Sequence, residues 1–431
     1  MEKSARRLFA FAGVIFLRRE GAGRMGLREE AARLPAAADI ARILAREGLR
    51  AQMEPDAPAP DGSRRDARTF SVTVWDLEAV DIARCGAGPL FRPAPPDAAL
   101  ARRIGRAAAR ALYALGLDGG QVRLDVDAGG RVTVRALSAT PEPAAADGER
   151  RLADAIRRQA RLREEERRRP PAAVLGADPE FVLLSPEGRI VPASRYFPPG
   201  AAIGSDSLVV SGVRRWPLAE LRPAPAAEPA VLAGELRRLL AEAARRAGDE
   251  PLTWRAGALP VPGLPLGGHI HFSGVAPTPV RLRALDNAVA LPLRLLEPPG
   301  ASRRRPRYGV LGDFRRKAHG GFEYRTPPSW LVSPALACGV LALAKIAAET
   351  PERIARPLDD ERVRAAFYAD GEDEGARHAL AGAVREVMRS VRQTEGYAKY
   401  GRLIAPLFRA IESGKTWNDA VDLRDRWRVR G

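Results

Sequence analysis

Apolar positions along this chain recur on two periods, and the switches between them outline its organisation. LFAFAGVIFL (Leu8–Leu17) is almost continuously apolar and predicts a buried first strand. It is too short to span a bilayer, and it runs into Arg18–Arg19–Glu20 without the small-residue cleavage site of a secretion signal. Glu29–Glu47 has the period of an Ala-rich amphipathic helix, and Thr69–Leu77 alternates as a strand. Pro96–Leu117 predicts a second helix, with Asp97 as N-cap and Gly116 as stop. Gln121–Leu137 reads as a hairpin turning at Ala128–Gly129–Gly130. Residues 1–145 are therefore expected to form a small α/β unit.

Residues 146–171 are a charge-laced helix with no evident apolar stripe, ending at Pro170–Pro171, and read as a linker between domains. Residues 172–350 mix short strands and Gly/Pro turns with helices at Glu228–Ala247, Pro279–Leu296 and Pro334–Glu349. Residues 351–431 are almost wholly helical in pattern. At 431 residues more than one core is expected, and 45% apolar content with a mean hydropathy of −0.24 describes a soluble globular chain. The net charge of +17 raises nucleic acid as a partner. Against it, only five of the 70 basic residues are Lys, and the arginines are spread from end to end like a compositional trait. Cys85 and Cys338 have no metal-type spacing and suit a reducing, cytoplasmic compartment.

The chemistry concentrates in residues 172–350, where one device recurs. GADPEF holds Asp178 and Glu180, AELRP holds Glu220 and Arg222, GGHIHFSG holds His269 and His271, and FEYRTPPSW holds Glu323 and Arg325. Residues at i and i+2 of a strand share a face. One such pair is usually just a solvated strand face; four within one sheet would gather carboxylates, imidazoles and guanidiniums together. Carboxylate oxygens suit Mg²⁺, arginines suit phosphate or carboxylate, and so many carboxylates need a compensating cation. The Gly-rich loop between the last two pairs carries Arg303, Arg304, Arg305, Arg307, Arg315, Arg316 and Lys317, and reads as a phosphate clamp.

The ordered motifs GADPEF, GSDS, AELRP, GGHIHFSG, RYG, GDFR and FEYRTPPSWL resemble the phage-type carboxylate–amine ligases (type 2 amidoligases) of the glutamine synthetase and glutamate–cysteine ligase fold. The resemblance implies an α+β fold, an antiparallel sheet flanked by helices, whose concave face takes ATP and Mg²⁺ (or Mn²⁺). It implies metal positions at Glu180, Glu220 and Glu323, with Asp178 beside the first, and a His-x-His strand in which one imidazole faces metal and the other nucleotide or substrate. His269 is assigned to metal and His271 to nucleotide, with which of the two meets the metal left open, and Lys317, Arg305 and Ser273 are read as further nucleotide positions. The resemblance also implies catalytic roles for Arg325, Arg222, Arg315 and Arg307. One departure is Ser207 after Asp206, where the family favours Gly, which leaves the role of Asp206 open. ALYALGLDGGQVRLDVDAGGRVTVRALSATPEP resembles the end of an ATP-grasp domain, but Ala136 and Ser138 stand where that family has metal-binding Glu and Asn. The first domain then becomes a non-catalytic remnant.

The function these readings imply is amide formation between a small-molecule or peptide carboxylate and an amine, through an acyl phosphate. The resemblance allows a homo-oligomer, because glutamine synthetase relatives form rings, but no ring interface is identified in the sequence and the oligomeric state stays open. Two alternatives are a metal-dependent hydrolase using His269 and His271, with His319 and His378 the remaining histidines, and a non-catalytic nucleotide-binding protein.

Overall fold

The computed structural model describes residues 17–20, 24–27, 34–53, 68–86, 96–210, 212–318 and 320–429. The expected strand at Leu8–Leu17 lies outside these residues except for Leu17, as do residues 29–33 of the first expected helix and His319. The chain divides into two compact units, Met1–Arg169 and Pro170–Gly431. No helix among the described residues is long and apolar enough to cross a membrane.

Unit 1 begins with a small antiparallel pair, β1 (Leu17–Glu20) and β2 (Arg24–Leu27). Helix α1 (Ala37–Arg46) starts only after Pro35, which disfavours helical geometry at the residue before it. Strands β3 (Arg68–Trp75) and β4 (Glu78–Arg84) are followed by α2 (Ala98–Ala114), β5 (Gly119–Val126) and β6 (Val132–Ser138). The four strands form one antiparallel sheet in the order β4-β3-β5-β6. Val72, Val74, Val122 and Leu124 pack there with Ile104, Ala108 and Leu112 of α2. Asp97 caps α2 as expected, accepting from the N–H groups of Ala99 and Leu100, and Gly116 takes a φ of 78° beyond its end.

Two expectations for this unit need correction. The strand expected to run through Leu77 ends at Trp75, because Asp76 (φ 52°) and Leu77 (φ 61°) form a left-handed two-residue turn. Without Gly or Asn-Gly at that turn, β4 is hidden from a sequence reading. Helix α3 (Ala146–Arg168) does have an apolar stripe: Leu152, Ala155 and Ile156 are buried with Trp75 and Val80. It packs on the sheet of unit 1, and Arg151 Nε donates to the Val80 carbonyl at 3.0 Å.

Unit 2 contains β7 (Val174–Leu184), β8 (Ile190–Val191), β9 (Ile203–Val210), β10 (Val213–Leu221), α4 (Pro229–Ala247), β11 (Thr253–Arg255) and β12 (Gly268–Ser273). It continues with α5 (Pro279–Leu285), α6 (Leu291–Leu296), β13 (Phe314–Arg316), β14 (Phe322–Tyr324), α7 (Pro334–Glu349), α8 (Glu361–Tyr368), α9 (Glu374–Arg392), α10 (Glu395–Glu412) and α11 (Leu423–Trp427). The strands form one antiparallel sheet, β13-β14-β12-β7-β10-β9, with β8 and β11 also paired to β7. The fold is α+β, as expected. The helical run expected at Pro279–Leu296 contains a wide π turn at Asp286–Ala290, just before Pro292, whose ring and missing N–H are incompatible with regular helix.

Alternation divides the sheet into two faces. Ile270, Phe272, Phe322 and Tyr324 are buried on one, where the rings of Phe272 and Phe322 stack 4.9 Å apart. Tyr324 donates its hydroxyl to Asp286 Oδ1 at 2.7 Å, and Lys345 of α7 donates to the Ala173 carbonyl at 2.7 Å, tying helices to strands. The alternate residues form the site.

Candidate active site on the polar face of the sheet

Register brings the paired motifs side by side. On β7 and β12, His269 lies opposite Asp178, and His271 lies opposite Gly176. On the other edge of β12, His271 lies opposite Glu323, which in turn faces Arg315 of β13. Across β7 and β10, Glu180 lies opposite Glu220, which faces Gly204 of β9. Four segments spread over 150 residues of chain thus present one continuous polar face.

The acidic groups sort into two clusters. Asp178, His271 and Glu323 bring ligand atoms within 4.8 Å of one another, and Glu180, Asp206 and Glu220 do the same. His269 sits beside the first cluster, its Nδ1 3.2 Å from Asp178 Oδ1 and 3.6 Å from Glu323 Oε1, while His271 Nε2 is 3.2 Å from Asp178 Oδ2. Cations edge the face. Arg325 Nε is 3.0 Å and Arg315 NH1 3.5 Å from Glu323, and Lys317 is in close contact with the same carboxylate. Arg222 pairs with Glu220 and donates to the Ala201 carbonyl at 2.8 Å.

The two clusters differ in protonation. Burial pushes the Glu220 carboxyl up to about 8, with Asp178, Asp206 and Glu180 adding and Arg222 opposing. Burial likewise pushes Glu180 up to about 7, against the pull of His269 and of the Gly267 N–H, which donates to it at 2.6 Å. Burial would also raise Asp178, but the imidazoles of His269 and His271 beside it outweigh burial and hold the carboxyl well below its usual range. For His269 burial favours the neutral ring, yet Asp178 prevails and raises it. Glu323 is lowered in spite of burial by Lys317 and His269.

These groups fit a divalent cation. Asp178 Oδ1, His271 Nε2 and Glu323 Oε2 are buried without a hydrogen bond of acceptable geometry, so polar capacity is left for a ligand. The donor set is mainly carboxylate oxygen with at most one imidazole per cluster, which suits Mg²⁺ or Mn²⁺ better than zinc.

Not every expected site residue reaches this face. Arg305 is buried in a bidentate pair with Glu297, at 2.6 and 2.7 Å, and its guanidinium lies over the Phe367 ring. Its basic loop context gave no hint of this, because Glu297 lies upstream in a different motif. Arg307 is exposed beside Tyr308 and lines a separate cavity of about 460 Å³ with Arg303, Arg304 and Asp419. Ser273 continues the His269–His271 side of β12 opposite Val174. Of the other two histidines, His378 is on α9 and His319 lies outside the described residues.

Asp206 completes the second cluster, and sequence reasoning left its role open. A usable signal was present: Gly176-x-Asp178, Gly204-x-Asp206 and Gly267-x-His269 share one spacing. The glycines make room for site side chains. A Cβ at Gly176 would meet His271 Cβ at 3.3 Å, one at Gly204 would meet Arg222 NH1 at 2.5 Å, and one at Gly267 would meet His269 Nε2 at 2.5 Å. Gly268 is filled instead by the Pro328 carbonyl and Trp330. The space beside the glycines before His269 is thus occupied by contacts within the protein.

A search of curated proteins finds no match. Among solved structures, the chain is similar to a bifunctional glutathione synthetase from Pasteurella multocida, at 12% identity and a TM-score of 0.31, over 60% of this chain and 51% of that one. It therefore spans about half the length of that enzyme. It is also similar to apo GmaS, at 15% identity and a TM-score of 0.32 over 87% and 97% of the two chains. For a Plasmodium falciparum glutamine synthetase the values are 8% and 0.34, over 81% and 94%. Overlaps this loose leave the assignment to sequence. The sequence pattern of the phage phiEco32-like COOH·NH2 ligases, type 2, matches residues 175–429, more than half of the chain and all of both acidic clusters, so the protein belongs to that carboxylate–amine ligase family.

Proposed function

We propose that unit 2 joins a carboxylate to an amine at the expense of ATP. The carboxylate oxygen attacks the γ-phosphorus, ADP leaves, and an acyl phosphate results. The amine then attacks the acyl carbon, orthophosphate leaves, and the amine gives up a proton as the amide forms. The observation that carries this reading is the pair of acidic clusters side by side on one sheet face, edged by Arg222, Arg315, Arg325 and Lys317.

In this reading Asp178, Glu323 and His271 would hold one Mg²⁺ or Mn²⁺, and Glu180, Asp206 and Glu220 a second. The bound cations supply charge neutralisation and orientation for the phosphate chain. His269 keeps Asp178 ionised and oriented through its 3.2 Å contact. Arg325 and Arg315, at the Glu323 edge, would take the transferred phosphoryl oxygens, and Arg222 would take a carboxylate. No nucleophilic side chain is needed, because positioning and electrostatics do most of the work in such transfers. The substrate class is a small-molecule or peptide carboxylate with an amine.

The test is a panel of acids and amines assayed for ADP release with Mg²⁺ or Mn²⁺. A productive pair should release ADP and amide in equal amounts, and Glu180→Ala or Glu323→Ala should cut the rate by about 10²–10³-fold or more while the protein stays folded. Full activity in both variants would remove the metal assignment.

A further inference from the structure

A second charged site lies wholly within unit 1. A groove of about 640 Å³ runs between the C-terminal end of α1, the outer face of α2 and the β5–β6 hairpin. Arg50, Arg102, Arg103, Arg106, Arg110 and Arg131 line it, with Leu49, Ala107 and Val132 among the apolar groups between them, and among the described residues no carboxylate lines it. Four of these arginines follow one another along α2, within about 12 Å of helix axis.

This is unlike the other arginine-rich helix of the same unit. On α3, Arg150 pairs with Asp147, Arg157 with Asp154, and Arg167 and Arg168 with Glu164. Helix α2 has no acidic residue at all (AALARRIGRAAARALYA). Compositional bias toward arginine accounts for basic residues anywhere, but it does not account for the missing acids on this one face. Like charges this close repel, and an anion bound among them relieves that repulsion.

Part of the groove is held in place. Arg110 donates to the Glu47 carbonyl at 2.7 Å, and Arg131 is fixed by Asp127 at 2.9 Å. The Arg103 guanidinium lies over the hairpin turn, where Gly130 (φ 75°) leaves room that a Cβ would occupy at 2.9 Å. Among the described residues, Arg50, Arg102 and Arg106 have no ion pair. The groove thus combines positioned guanidiniums with free ones, the arrangement that suits bidentate binding of phosphate.

We propose that this groove binds a compact oligophosphate, a small molecule bearing two or more neighbouring phosphate groups. Among the described residues the lining includes no aromatic side chain of the kind on which single-stranded nucleic acid stacks, and the volume is that of a small-ligand site. The lining residues all belong to unit 1, and the proposal does not depend on the ligase reading.

Isothermal titration of the full chain with inorganic tripolyphosphate tests this. Binding should be detectable below millimolar concentration at about 50 mM salt, and should weaken several-fold by about 200 mM. Arg102→Glu with Arg106→Glu should raise Kd by about 30-fold or more, while Arg325→Ala in unit 2 should leave this binding in place. Arg102→Gln with Arg106→Gln, checked by circular dichroism, repeats the test with less perturbation of the fold. Absence of binding, equal binding in both groove variants, or loss in Arg325→Ala alone would overturn the proposal. So would tighter binding of citrate, which assigns the groove to carboxylates, or of a single-stranded oligonucleotide, which assigns it to nucleic acid.

Discussion

In unit 2 the concentrated charge is negative and buried, with Glu180, Glu220 and Glu323 each no more than 6% exposed. In unit 1 it is positive and exposed, on Arg50, Arg102, Arg103, Arg106 and Arg131. The first lies on the face of an antiparallel sheet, the second on helix α2, the chain that follows α1 and the β5–β6 turn. The difference shows what burial does to charge. A buried carboxylate takes up a proton or a cation, so its state depends on pH and metal. An exposed guanidinium stays charged at any working pH, so its interactions respond to salt instead.

The largest test of that contrast is the pH dependence of metal-free stability. Glu180 and Glu220 start from 4.5 in the unfolded chain and rise to about 7 and about 8 in the fold. A raised carboxyl contributes stability that is full below about 4.5 and is lost as pH climbs through the folded values. His269, also raised, acts in the same direction over its own range. The melting temperature of metal-free protein should therefore fall from pH 6 to pH 9, reflecting several kcal/mol, and Mg²⁺ should restore it. Glu180→Gln with Glu220→Gln should flatten the curve and shrink the Mg²⁺ response to what the Asp178–His271–Glu323 cluster supplies. A melting temperature that rises over this range would break the comparison.

Arginines should divide in the same way. Arg305→Met removes the bidentate partner of buried Glu297 and leaves it the longer Arg294 contact at 4.0 Å, at a cost of about 3–5 kcal/mol in urea denaturation. Arg102→Met, on the exposed groove, should change stability by no more than about 0.5 kcal/mol. Equal effects would mean that burial does not separate them.

The smallest expected effect concerns packing beneath the polar face. Gly267→Ala sets a methyl against the His269 ring and should cost about 1–3 kcal/mol. Its ADP release with Mg²⁺ should fall more than its melting temperature suggests, because the displaced imidazole orients Asp178. Unchanged turnover would show that His269 can relax without moving the carboxylate.

What the amino-acid sequence determined by itself was local and periodic. The i, i+2 spacing of Asp178–Glu180 and His269–His271 sets each pair on one side of its strand, whatever the strand pairs with. The helices at Pro229–Ala247 and Pro334–Glu349 follow from proline starts and apolar periodicity. The stripe of α3 and the turn at Asp76–Leu77 were not legible, because two large apolar residues among many charges and a left-handed turn without glycine carry almost no local signal.

Only tertiary structure decided which carboxylates share a cation. Strand order put Asp206 with Glu180 and Glu220, and put Glu323 with Asp178 across β12. Folding also withdrew Arg305 into a pair with Glu297, and gathered Arg50 and Arg131 beside α2. The physical reason is that register and burial are sums over distant partners. A spacing fixes which way a side chain points, but its charge depends on what the rest of the chain brings within a few ångströms.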